Sequence, residues 1–165
     1  MIILEFGSCS LKAGTSGDIK PRVFYYSLDN DSVADWRDGG WGLLEKNYKL
    51  LFDYPPPSKE FLHSLLISTL NRCWQELCCQ DQKILIVENP FLPFIVKDSI
   101  HQVLLQKFAK EISILPSPIA SVLSFGSTSG LVVDVGYLES RAYLVYDGRV
   151  LENYTGFYPI GCFIY

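Results

Sequence analysis

The sequence predicts an α/β fold in which a mixed sheet is flanked by helices. Three observations carry this. The chain opens with short β-branched and aliphatic runs that return on themselves. Its middle alternates helix-period and strand-period segments, and its end is a run of short strands punctuated by turn residues. At 165 residues it is long enough to bury a core and fits one domain.

Taken in order, Ile2-Ile3-Leu4-Glu5-Phe6 is a buried strand and Ser10-Leu11-Lys12-Ala13-Gly14 its hairpin return. Pro21-Arg22-Val23-Phe24-Tyr25-Tyr26 is a third strand, with proline at the first residue, where a missing N–H does least harm. From Leu28 to Pro57 no period persists: Asp29-Asn30-Asp31, Gly39-Gly40-Trp41-Gly42 and Pro55-Pro56-Pro57 are breaker signals. This stretch is a long loop or a partner-contacting insertion, with Trp36 and Trp41 as lids over the core or as interface anchors. Ser58 suits an N-cap and Glu60 the first turn of a helix running to about Cys78, because Phe61, Leu62, Leu65, Leu66, Thr69, Leu70, Cys73, Trp74 and Leu77 recur at helical spacing. Lys83 to Val87 is a strand ended by Asn89-Pro90, Asp98 to Ala109 a second helix, and Ile112 to Leu115 a strand. Pro118 opens a third helix reaching Phe125. Gly130 to Val135, Ser140 to Tyr146 and Arg149 to Tyr154 form a meander, with Asp147-Gly148 a strong hairpin turn.

Composition narrows the function. Hydrophobic residues make up 48%, aromatics 14% and charged residues 19%, enough apolar surface to leave a patch for a partner. A net charge of -4 without basic runs argues against nucleic-acid binding. The longest apolar stretches fall short of a membrane span, and Met1-Ile2-Ile3-Leu4 lacks the basic start of a secretory signal, so a cytosolic or nuclear protein is expected. Cys9, Cys73, Cys78, Cys79 and Cys162 are an odd set without C-x-x-C spacing, which reads as buried reduced thiols. His63 and His101 read as solvent-facing helix residues.

Two segments stand out for chemistry. Glu5-Phe6-Gly7-Ser8-Cys9-Ser10-Leu11-Lys12-Ala13-Gly14 and Val132-Val133-Asp134-Val135-Gly136-Tyr137 each place a carboxylate at a strand end before small residues that let backbone approach a phosphate. Two such loops facing each other would clamp a phosphate chain. Gly7, Gly14 and Gly136 also suit plain hairpins with positive φ.

These loops, together with Glu88-Asn89-Pro90-Phe91-Leu92-Pro93, Ser121-Val122-Leu123-Ser124-Phe125 and Tyr146-Asp147-Gly148, resemble actin and the actin-related proteins across most of the chain. The resemblance implies an actin-like (ribonuclease H-like) ATPase domain, mostly the first half of the actin fold. It implies that residues 27–57 are a shortened outer subdomain, and that the chain ends at Gly161-Cys162-Phe163-Ile164-Tyr165 with the second half truncated. The family's cofactor is ATP or ADP with magnesium, and the resemblance implies at most a vestigial site for it here, binding nucleotide weakly or not at all. Backbone at Gly7, Ser8 and Gly136 would hold phosphates, Lys12 would face β and γ oxygens, and Asp134 would order the waters of the magnesium ion.

Several positions depart from the family pattern. Glu5 replaces aspartate, Phe6 asparagine and Cys9 glycine, while Tyr137-Leu138 stands for aspartate-glycine and Ala120 for the glutamine that orients attacking water. Phosphoryl transfer depends on positioning and electrostatics, so a degenerate, noncatalytic site is expected. Within the family the pattern looks most like the divergent member at the pointed end of dynactin's short filament. Actin-like filament subunits and dynactin pointed-end proteins are then the expected partners, with Trp36 and Trp41 as interface residues, in the cytoplasm and cytoskeleton. A nuclear chromatin-remodelling subunit and a weak actin-fold ATPase are the alternatives.

Overall fold

A computed structural model describes residues 1–26, 58–77 and 83–162. Among these described residues nine strands and three α-helices follow in the order β1 (Ile2–Phe6), β2 (Ser10–Thr15), β3 (Arg22–Tyr25), α1 (Lys59–Leu77), β4 (Lys83–Glu88), α2 (Phe94–Lys107), β5 (Glu111–Pro116), α3 (Ser117–Ser124), β6 (Gly130–Val135), β7 (Ser140–Tyr146), β8 (Arg149–Val150) and β9 (Gly156–Tyr158). They divide into two compact units, Met1–Ile86 with Phe91–Ser113, and Val87–Pro90 with Ile114–Tyr165. The expected α/β class, a mixed sheet with helices and a partial actin-like fold, is what the chain adopts.

The first unit is built on a five-stranded sheet of order β3-β2-β1-β4-β5. Register follows from burial. Ile2, Leu4 and Phe6 alternate inward on β1, and their antiparallel partners on β2 include the buried Ala13 and Leu11. Helix α1 covers this core with Leu62, Leu65, Leu66, Leu70 and Cys73, and α2 adds Val96, Ile100, Val103 and Leu104. Fully burying a leucine side chain contributes about 1.5–3 kcal/mol, so these two helix stripes are, with the sheet face they cover, a main source of the unit's stability.

Polar groups finish the helix ends. The Phe61 N–H donates to Ser58 Oγ at 3.3 Å, as the N-cap assignment requires. At the other end Arg22 Nη1 donates to the Glu76 carbonyl, and Arg72 Nη2 donates to the Tyr25 carbonyl at 2.6 Å, tying β3 to α1. Lys59 Nζ reaches Asp98 Oδ2 at 2.8 Å, and this ammonium, with Gln102, holds the Asp98 carboxyl below its usual range.

Four sequence readings are corrected here. Helix α2 begins at Phe94, four residues before Asp98, because Pro93 presets its φ at -53° and its carbonyl accepts from Val96 N and Lys97 N. The strand expected from Arg149 to Tyr154 stops at Val150. Glu152–Tyr154 form a 3-10 turn instead, closed by Thr155 N to Glu152 O, and the chain then returns as β9, which the sequence reading did not anticipate. His63 and His101 are half-buried with Nε2 shielded from water, and so are not solvent-facing. Among the described cysteines Cys9, Cys73 and Cys162 are in no disulfide, but only Cys73 is buried. Trp74 lies over Phe108 with centroids 4.9 Å apart, a core contact.

In the second unit β7 pairs with β6 on one side and with β8 and β9 on the other. The turn Asp147-Gly148 has positive φ at both residues, 48° and 69°, which is the geometry that matches hairpin twist. It is anchored by Asp147 N to Ser129 Oγ and Gly148 N to Thr128 O. Tyr143 and Val145 on β7 and Val122 on α3 are buried. The opposite face of β6 carries Leu131, Val133 and Val135, all well exposed. A groove of about 440 Å³ runs beside it, lined by Val122, Phe125, Leu131 and Val133. Among the described residues no helix is long and apolar enough to cross a membrane.

An apolar stripe of this kind should take up a hydrophobic dye. The chain is expected to enhance the fluorescence of an anilinonaphthalene dye, and the double variant Leu131→Thr/Val133→Thr to lose most of that signal while staying folded. Equal dye signal from a folded double variant would contradict this.

Candidate functional site

The first candidate loop grows out of the β1–β2 hairpin. Phe6 pairs with Leu11, and Gly7 N–H then donates to Ser10 O at 2.9 Å, enclosing the two-residue turn Ser8-Cys9. Gly7 does not have positive φ. What it provides is space, since a Cβ there would stand 3.2 Å from Ser10 O. Tyr26 pins the loop twice. Its O–H donates to Gly7 O at 3.1 Å and its N–H to Cys9 O at 3.4 Å. Burial raises the Tyr26 phenol well above its usual value, and the nearby Cys9 and Glu5 add to the shift. Ser8 is buried. Lys12 lies opposite Glu5 in the ladder, with Nζ 3.0 Å from Glu5 Oε1, both side chains about half exposed.

The second loop repeats the plan in its own unit. Val135 pairs with Ser140, and Gly136 N–H donates to Glu139 O at 2.9 Å around Tyr137-Leu138. Gly136 also lacks positive φ, and a Cβ there would sit 2.9 Å from Glu139 O. None of the glycines at 7, 14 and 136 has positive φ, which corrects that reading: a Cβ would clash at Gly136 and be tight at Gly7, while at Gly14 the neighbour is the side-chain atom Asp18 Oδ2 at 3.3 Å. Gly136 O accepts from Cys162 N–H at 2.8 Å, so the segment around Gly161 and Cys162 crosses this loop as Tyr26 crosses the first. The crossing is close enough that a Cβ on Gly161 would fall 2.2 Å from Tyr137 O.

Charge on this hairpin is also paired locally. Arg141 Nη2 lies 2.5 Å from Glu139 Oε1, with both side chains largely buried, and its guanidinium sits over the Phe157 ring at 5.1 Å. Asp134 faces Arg141 in the ladder and is exposed. Beneath them Tyr143 Oη is 3.1 Å from Asn89 Oδ1. Burial pushes the Tyr143 phenol up to about 12, with Arg141 acting the other way and Asp134 and Glu139 adding to the rise.

Of the sequence candidates, Gly7, Ser8 and Lys12 share the first hairpin, and Asp134 and Gly136 share the second. Trp36 and Trp41 lie outside the described residues. Ala120 is on α3, half-buried, with no amide to offer. Tyr26, Glu139, Gly161 and Cys162 were missed as site residues. For Glu139 a signal existed: it follows Gly136 at the spacing by which Ser10 follows Gly7, and it shares a strand face with Arg141. Toward a magnesium nucleotide these residues offer the Asp134 carboxylate and the Lys12 ammonium, while the Gly7 and Gly136 amides already close their own hairpins. Among the described residues no group of three or more His, Cys, Asp or Glu could hold a metal.

No family model matches the chain. Several curated relatives do, two of which follow. Actin-related protein 10 of Dictyostelium discoideum is 26% identical over 169 residues, covering 93% of this chain and 36% of that protein. Actin-like protein 7B of Homo sapiens is 22% identical over 170 residues, covering 93% of this chain and 40% of that protein. The chain therefore spans well under half the length of either relative. These distant homologues, over most of the chain, support an actin-related family.

The Tyr143 shift has a definite pH consequence. An unfolded tyrosine loses its proton near pH ~10, whereas Tyr143 keeps its proton up to about 12. Its contribution to stability is therefore complete below the unfolded value and is lost as pH rises through the folded one. Urea midpoints should fall between about pH 9 and about pH 12. The variant Tyr143→Phe should fall less, with the remainder carried by Tyr26. An identical fall in the variant would refute the assignment.

Proposed function

We propose that this chain is a noncatalytic actin-related structural subunit that binds nucleotide weakly or not at all. The observation that carries this is the closure of both loops on themselves. Gly7 N–H and Gly136 N–H, two of the loop amides that a phosphate cradle could draw on, donate to Ser10 O and Glu139 O. Ala120, with only a methyl group, supports the same reading, because water positioning is most of what catalysis requires here. Bulk at Tyr137 and Leu138 adds to it.

In its finer form, the subunit caps the pointed end of dynactin's actin-like filament in the cytoplasm and serves dynein-dependent transport. The support is the brevity of residues 27–57, too few for the loop that receives a neighbouring protomer in actin, together with an apolar composition suited to assembly. The expected contacts are with actin-like subunits and pointed-end proteins, through Trp36 and Trp41, since buried aromatics dominate interface energies.

Two measurements check this. Purified protein should hydrolyse no ATP above background in the presence of magnesium; a rate abolished by Asp134→Ala would overturn the noncatalytic reading. Affinity capture from a cell extract should recover dynactin components and lose them in a folded Trp36→Ala/Trp41→Ala variant. Recovery of chromatin-remodelling subunits, or unchanged capture by the variant, would count against the finer reading.

A further inference from the structure

We propose that Arg141 is a resident cation that excludes magnesium from the second hairpin, standing across the ladder from Asp134 and holding the neighbouring carboxylate of Glu139. The inference rests on the noncatalytic reading above and concerns its metal.

Sheet register puts the guanidinium there. Asp134 on β6 pairs with Arg141 on β7, and Arg141 pairs in turn with Phe157 on β9, so three strands set these residues in one row on one face. Residues directly opposite on a face are close enough for opposite charges to interact. Glu139 Oε1 accepts from Arg141 Nε at 2.6 Å and lies 2.5 Å from Nη2, while the guanidinium carbon is 5.1 Å from the centre of the Phe157 ring. Held on two sides, the arginine side chain is only 12% exposed and that of Glu139 16%, so water screens their charges poorly. The Tyr143 phenol lies within reach of the same cluster: beyond the effect of its burial, Arg141, Asp134 and Glu139 all act on it.

This donor set does not fit the family's metal. Magnesium keeps much of its water and is held through one or two carboxylates. Asp134 and Glu139 are the carboxylates at this end of the hairpin, but two nitrogens of Arg141 converge on one Glu139 oxygen, and its positive charge faces Asp134. A guanidinium offers donors alone and keeps its proton in proteins, so the place is not vacated by a change of pH. The attraction that two carboxylates would exert on a divalent ion is thus halved by a cation that belongs to the chain.

Titration of the full chain with manganese(II), a paramagnetic substitute for magnesium, without nucleotide and with the free ion read by electron paramagnetic resonance, tests this. Wild type should bind the ion no tighter than Asp134→Asn. Arg141→Met keeps an unbranched apolar stem against Phe157 while removing the charge, and should bind about tenfold tighter than wild type; Arg141→Gln serves if that variant fails to fold. Arg141→Lys, which keeps the charge, should behave as wild type, and Arg141→Met/Asp134→Asn should lose the gain. Wild-type binding that Asp134→Asn abolishes, no gain in a folded charge-free variant, an equal gain in Arg141→Lys, or a gain that survives loss of Asp134 would each overturn the proposal. ATP turnover by the wild-type chain would instead sink the noncatalytic reading, and is measured separately from this nucleotide-free comparison.

Discussion

One hydrogen bond, made twice, organises the regions that matter here: a glycine N–H at the end of a strand donating to the carbonyl three residues on. Gly7 to Ser10 and Gly136 to Glu139 are both 2.9 Å, and each sets a two-residue turn. Because side chains alternate along a strand, fixing the turn fixes the faces. Glu5 comes to lie opposite Lys12, and Asp134 opposite Arg141, only in these registers. The same bond crowds both positions, neither of which has positive φ: the acceptor carbonyl would lie 2.9 Å from a Cβ at Gly136 and 3.2 Å from one at Gly7.

Each turn is then held by a segment that crosses it. Tyr26 is buried and donates to the carbonyls of Gly7 and Cys9, and Cys162 N–H donates to the carbonyl of Gly136. With the glycine amide and carbonyl both engaged, neither group of that residue is left for a phosphate. That is the physical link between the fold and the proposed loss of nucleotide chemistry. The second turn accommodates the bulky pair Tyr137-Leu138 because its own hydrogen bonds stabilise it without a ligand.

Much of the architecture was legible from periodicity. The α1 stripe from Leu62 to Cys73, the exact bounds of β6 and β7, and the Asp147-Gly148 turn all follow from patterns with one physical solution. The start of α2 was hidden because Phe94, Ile95 and Val96 look as strand-like as helical, and only Pro93 marks the boundary. The short β8 was hidden because Leu151 continues an apolar pattern that the turn at Glu152–Tyr154 interrupts. At the site, the hairpin glycines and their charged neighbours could be found as residue types. The partners that cross the loops could not, because Tyr26 and Cys162 reach Gly7 and Gly136 from 19 and 26 residues away in sequence.

The central claim is that these loops are closed by their own hydrogen bonds rather than by a bound nucleotide, and amide hydrogen exchange at Gly7 and Gly136 tests it most directly. The account predicts that both amides are protected like their neighbouring strand amides in the ligand-free chain, and that adding magnesium and ATP leaves that protection unchanged. Rapid exchange at both glycines without nucleotide, slowed sharply once magnesium and ATP are added, would contradict it.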